Sequence, residues 1–324
     1  MAPAPNEAGT AQTMADLGCL KAGFEGSGSP RWIMDTIKRY RLDIKHGFRL
    51  EVDFIGDKVQ PRLQSTEAAL AADQVDFIDT DWISVARCRS QGLSISAVFP
   101  YGAIMGGLVV AHDSGIHGLM DIRGRRIGVV RLLDKNWAVM RAVCIKRFGF
   151  DPQAEASVQE SGSKTALLRQ LQAGEVEAAL LYWHLIPGLV VSGRFRQVCD
   201  VLELVPELRI GAVPTTFFTF RDEFIARRPA LIRAFIGAFC EAVTLMHKND
   251  EIWAHIAEHI LDDNNLARLH ALRGKWETRI CTTWNMGVVA DLNRLFGEIK
   301  NRCGSEALGC DHLPAETFNY AFMN

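Results

Sequence analysis
A chain of 324 residues is too long for one ordinary core and suits two lobes of about 100–200 residues each. Its 48% hydrophobic and 23% charged residues are those of a globular protein, and a net charge of −2 offers no broad footprint for nucleic acid or an anionic membrane. The arginine-rich pieces, Arg123 to Arg131 and Arg227-Arg228, are interleaved with apolar residues and read as solvated faces.

Residues 1–15 read as a small, polar, flexible segment, with neither the basic start nor the apolar run of an export signal. Leu17 to Phe24 reads as a first strand, closed by Glu25-Gly-Ser-Gly-Ser-Pro30. Ser29 before Pro30 predicts a helix start, a side-chain oxygen at the cap and proline at the first helical position, and the helix runs to about Leu42. Phe48 to Phe54 alternates like a strand. A helix from Pro61 to Ala72 follows, then a short strand from Val75 to Asp79 that opens through Thr80-Asp-Trp82 into another helix. Strands are expected around Ile95 to Phe99 and Gly107 to Ala111.

The turn Asp121-Ile-Arg-Gly-Arg-Arg-Ile-Gly-Val-Val130 fires a new buried strand and starts a second alternation of the same kind. Helices over Asn136 to Phe148 and Lys164 to Ala173 alternate with strands over Ala156 to Gln159 and Ala178 to Tyr182, and a helix lies near Ile186. Thr215 to Arg221 reads as a strand returning to the first lobe, and helix dominates from Pro229 to about Arg302. No segment reads as the 18 or more apolar residues of a membrane span. The expected class is α/β with mainly parallel sheets, flanking helices and a helical C-terminal region. Lobe 1 comprises 16–111 and 215–324; lobe 2 comprises 112–214.

In open parallel sheets, ligands bind beyond the carboxyl ends of strands, where helix N-termini present free N–H groups. The candidate ligand residues in such loops are Glu25, Ser27 and Gly28, then Thr80, Asp81 and Trp82, in the first lobe. In the second they are Lys135, Asn136 and Trp137, with Glu160, Tyr182, Trp183 and His184. Each has a plain structural alternative: a flexible turn for Gly28, core packing for Trp82 and Trp137, a helix cap for Asp81 and a satisfied polar end for His184. The glycine-rich loop lacks the Lys-Ser/Thr of a nucleotide P-loop. His255-Ile-Ala-Glu-His259 matches a zinc-peptidase pattern, but it sits in an amphipathic helix with no third ligand announced and reads as coincidence. No catalytic residue, metal or cofactor is called for. Eight cysteines show no metal-ligand pairing; Cys303 and Cys310 flank a glycine-containing loop and could close a small disulfide in an oxidising compartment.

Five segments in order, Leu20–Phe24, Asp76–Thr80, Leu119–Gly128, Leu171–Ala179 and Phe224–His247, resemble the solute-binding proteins of ABC importers for nitrate, sulfonates, taurine and thiamin-pyrimidine precursors. The likeness covers roughly residues 17–320. It implies the type II periplasmic-binding-protein fold, two lobes closing on a solute by hinge motion, a monomer, a membrane permease as partner, and a periplasmic location, without nucleic-acid binding or membrane insertion. Two features depart from the pattern. An export signal is not visible, and Glu25, Asp79 and Asp81 would repel a buried sulfonate. With Trp82, Trp137, Tyr182 and Trp183 these acids better suit an amine-bearing or heterocyclic ligand than a sulfonate. A cytosolic enzyme of pyrimidine-precursor metabolism on the same fold, and a sensor that keeps only the cleft, remain the alternative readings.

Overall fold
The computed structural model describes residues 16–56 and 63–324. It contains two five-stranded sheets. The first holds β1 (Cys19–Glu25), β2 (Arg49–Ile55), β3 (Phe77–Asp81), β4 (Ile95–Gly102) and β10 (Thr216–Arg221), in the order β2-β1-β3-β10-β4. The second holds β5 (Gly107–Ala111), β6 (Arg126–Val129), β7 (Ser157–Glu160), β8 (Ala178–Leu181) and β9 (Phe195–Asp200), in the order β7-β6-β8-β5-β9.

Both sheets are mixed in the same way. β1 pairs parallel with β2 and β3, and β6 pairs parallel with β7 and β8. β10 then runs antiparallel between β3 and β4, and β5 antiparallel between β8 and β9. These reversed strands are the first that the chain lays down in each sheet after arriving from the other one. This corrects the expected boundary at residue 111: β5 belongs to the second sheet, so the first crossing lies at 103–106. An apolar strand such as Gly-Leu-Val-Val-Ala carries no signal of which sheet will receive it.

Local chemistry starts and stops the elements largely where the pattern indicates. Asp81, Asp134 and Ser163 each accept a backbone N–H at the start of the helices Trp82–Ser90, Lys135–Phe148 and Lys164–Ala173. Gly149 and Gly174 end the latter two in the left-handed region that glycine enters freely. Ser29 departs from expectation. It does not cap the Pro30–Arg39 helix; its hydroxyl is hydrogen-bonded to Tyr101 instead. That helix ends at Arg39, because Arg41 takes a positive φ of 52° before a short turn of helix at Leu42–Lys45. The predicted start at Pro61 lies outside the described residues; the helix is seen over Ser65–Ala71. β9 had no sequence signal. As an edge strand of the series Phe-Arg-Gln-Val-Cys-Asp it is only partly covered, and needs no apolar run.

The helix Pro229–Lys248 is long and apolar enough to cross a membrane by composition alone, contrary to the sequence reading. Its place in the fold explains the composition: Leu231, Ile232, Phe235, Ala238, Phe239, Ala242, Val243 and Met246 are buried. Phe235 lies 4.6 Å from Phe77 and Phe239 lies 4.9 Å edge-on from Phe218, between ring centroids, so this helix covers the centre of the first sheet. The C-terminal helix Met286–Cys303 packs against the second lobe's Lys135–Phe148 helix, so the helical region spans both lobes. Cys303 and Cys310 are free, buried thiols, and no disulfide joins them.

Both crossings are tied down by hydrogen bonds. Gly106 donates its N–H to Asn136 at 2.8 Å and accepts from the Val201 N–H at 2.9 Å. A Cβ on Gly106 would lie 1.9 Å from the Leu181 carbonyl oxygen, so only glycine lets these backbones approach. Gly106→Ala is therefore expected to destabilise the protein by about 1–3 kcal/mol, the usual cost of overpacking, read as a lowered denaturant midpoint.

Candidate functional site
Between the two sheets lies a cavity of about 660 Å³, its open mouth included. Its wall is made by the ends of β1 and β3 and the segments after β1 and β2 in the first lobe, and by the loops that follow β6, β7 and β8 in the second, with contributions from Tyr101, Ile104 and Thr216 near the crossings. This is the carboxyl end of the parallel strands in both sheets, facing helix N-termini.

Of the residues expected to meet a ligand, Glu25, Gly28, Thr80, Asp81, Lys135, Tyr182, Trp183 and His184 line this cavity. Five do not. Ser27 points to solvent. Trp82 and Trp137 are fully buried in the core, Trp137 donating its indole N–H to Gln153 at 2.7 Å. Asn136 is spent on Asp134 and on the Gly106 N–H. Glu160 accepts the Leu132 N–H at 2.6 Å on an exposed surface. The tryptophans are corrected by simple geometry: the first turn of a helix carries side chains on all sides, and these two point back into the lobes.

The cavity gains Ser29, read from the sequence as a helix cap, and Arg131, read there as part of a solvated face, together with Gln64, Thr66, Tyr101, Lys164 and Thr216, which local pattern did not single out. Arg131 and Lys164 matter most, since they bring charge. A detectable hint existed, because each lies at the end of a second-lobe strand or just inside the helix that follows one.

Charged groups oppose one another across the cavity. Lys164 is ion-paired with Glu25 and holds its ammonium 4.5 Å from the centre of the Tyr182 ring. Arg131 lies 3.6 Å from the Asp81 carboxylate and 3.5 Å from the Ser84 hydroxyl. Lys135 donates to the Thr216 hydroxyl at 3.2 Å. Tyr182 donates its hydroxyl to Asp134 at 2.7 Å.

These surroundings set the protonation states. Burial tends to raise Asp81, but Lys135, Arg87, Arg131 and the Ser84 N–H together hold it below the usual carboxylate range. Asp79 lacks that company. Burial pushes it up to about 6, with only Lys135 and its own backbone N–H pulling the other way. Burial also pulls Lys164 down to about 8, and burial with the nearby Lys164 pulls His184 down to about 3, so the imidazole is neutral at ordinary pH. His184 Nε2 and Arg131 Nε are buried and meet no partner among the described residues.

His255 and His259 lie outside this cavity, beside a groove near β2. They stack at 4.4 Å, and His255 pairs with Asp35 at 3.1 Å. No group of three or more His, Cys, Asp or Glu residues poised to hold a metal occurs among the described residues.

A cleft between two mixed sheets, entered by two crossings and lined from strand ends, defines the periplasmic-binding-protein fold. Residues 50–251, well over half of the chain, match the family model described as NMT1/THI5 like, and the protein belongs to that family. No curated protein matches the chain in sequence. Among solved structures it is similar to the alkanesulfonate-binding protein SsuA from Xanthomonas axonopodis pv. citri bound to MOPS, at 13% identity and a TM-score of 0.69 over 88% of this chain and 94% of that one. It is also similar to the periplasmic aliphatic sulphonate binding protein SsuA from Escherichia coli, at 15% identity and a TM-score of 0.67 over 93% and 96% of the two chains. A third likeness is the ligand-binding component of an ABC-type import system from Staphylococcus aureus with zinc bound, at 12% identity and a TM-score of 0.67 over 91% and 97%.

The raised Asp79 gives a pH prediction. An acid whose folded value exceeds its unfolded value of about 3.9 costs stability when ionised; this cost is absent below about pH 4 and grows until pH passes about 6. Asp79→Asn should therefore gain stability relative to the parent as pH rises over that window, and the gain should level off above it. Denaturant midpoints of both proteins between pH 4 and 7.5 check this; a constant difference would remove Asp79 from the account.

Proposed function
We propose that the protein is a solute-binding component of an ABC importer, which captures a small organic solute between its lobes and delivers it to a membrane permease outside the cytoplasm. The observation that carries this reading is the cavity itself: a polar, aromatic-lined space at the seam of two lobes, with charged side chains from each reaching it. The similar structures that are named for sulfonate binding or ABC import support it at the level of the fold. Binding followed by release is the chemistry the site suits, because its donors and acceptors surround a space.

The solute is read as an amine-bearing or heterocyclic molecule. Tyr101, Tyr182 and Trp183 supply flat apolar contact, and Asp79 supplies an acceptor with few competing donors. A simple sulfonate would meet Glu25, Asp79 and Asp81 at short range, where like charges repel strongly in a partly desolvated space.

Mass spectrometry of the gently purified protein should reveal a bound small molecule. Adding that molecule at a hundred times its dissociation constant should stabilise the fold by about 2.7 kcal/mol. Arg131→Gln should weaken its binding by about 1.5–3 kcal/mol, more than tenfold in Kd, by removing charge-assisted hydrogen bonds. A protein that neither carries nor is stabilised by any small organic solute would overturn the reading.

A further inference from the structure
Among the described residues, the charges of the cavity are sorted by lobe. The three carboxylates on its wall, Glu25, Asp79 and Asp81, all lie in strands of the first sheet. The three cations, Arg131, Lys135 and Lys164, all follow strands of the second, two of them in the first turn of helices of 14 and 10 residues. His184, also on the second side, is a neutral imidazole. The walls answer each other directly, Lys164 to Glu25 and Arg131 to Asp81.

A solute that comes between paired groups must supply the charge that each loses. A buried ion deprived of its partner is strongly disfavoured, so a solute that is only an anion leaves Glu25 and Asp79 uncompensated, and one that is only a cation does the same to Arg131 and Lys164. Two groups already lack full partnering. Among the described residues Asp79 accepts only its own backbone N–H, with Lys135 acting on it through space, and the buried Arg131 Nε meets no acceptor there. The first calls for a cation and the second for an anion. The helix N-termini behind Lys135 and Lys164 reinforce the second preference.

We propose that the cavity takes a dipolar solute in one orientation, its cationic group on Glu25 and Asp79 of the first lobe and its anionic group on Arg131 and Lys135 of the second. The inference rests on the binding role proposed above and names the class of solute. A solute of this kind bridges the lobes with the same opposition of charges that Lys164 with Glu25 and Arg131 with Asp81 display across the cavity.

The test is a thermal-shift and calorimetric screen of the whole protein against a broad library of small organic solutes sorted into cations, anions, neutral and dipolar compounds. It includes ω-amino carboxylates and ω-amino sulfonates of graded length beside the matching amines, carboxylates and sulfonates, so that the two kinds of anionic end are told apart. The expected result is that the best ligand is dipolar and binds at least tenfold more tightly than either of its single-charge halves. Asp79→Asn, and separately Glu25→Gln, should weaken that ligand at least tenfold while strengthening its anionic half. Circular dichroism on both variants confirms that they fold. A best ligand that is neutral or singly charged, or variants that change dipolar and anionic affinities alike, would overturn the inference and leave solute capture standing. Binding by no compound of any charge class would overturn both.

Discussion
The reversed strand in each sheet is the constraint on which the molecule turns. β10 reaches the first sheet from the second lobe and β5 reaches the second sheet from the first, so each enters against the direction of its neighbours. Antiparallel pairing then fixes what stands at the seam. Thr216 sits opposite Asp81 on one side and Gly102 on the other, which places its hydroxyl at the cavity within reach of Lys135 from the other lobe. At the other crossing, Gly106 allows the backbone to lie against Leu181, the residue that leads into Tyr182, Trp183 and His184. The same segments that connect the lobes therefore set the distance between their binding loops.

A second set of polar contacts holds the lobes together away from the cavity. Asp200, at the end of β9, is bound by Arg279 and by Lys275 at 2.9 Å, both from the C-terminal helical region. Burial alone would raise the Asp200 carboxyl, but the two cations hold it below the usual range. Arg279 also lies over the Trp183 ring, 5.8 Å from its centre, and Trp183 meets Trp32 of the first lobe edge-on. The cavity wall is thus backed by an aromatic and ionic contact between the lobes.

Much of the architecture was legible in the chain because it depends on local rules. Strand and helix periods, the acidic and hydroxyl caps Asp81, Asp134 and Ser163, and the stops Gly149 and Gly174 are short-range signals. The site was legible only as a set of loops. Trp82 and Trp137 seemed suited to flat contact by composition, yet their place in the first helical turn directs them inward. Arg131 read as part of a solvated face, yet its side chain is only 12% exposed, and Lys164 is buried, because both lie at the seam facing a wall from the other lobe. Residue type is a poor guide to direction.

By itself the sequence determined the alternation of strands and helices, the duplication of that pattern into two lobes, and the strand-end loops from which a site would be built. Those features arise from interactions within a few residues of one another. Only the tertiary structure decided that β5 crosses over before residue 107, that the Pro229–Lys248 helix is a core element, and that acids and bases from separate lobes face each other across one cavity. The physical reason is that each of these depends on the pairing of segments far apart in the chain: a ladder partner, a packed sheet face, or a charge supplied by the opposite wall.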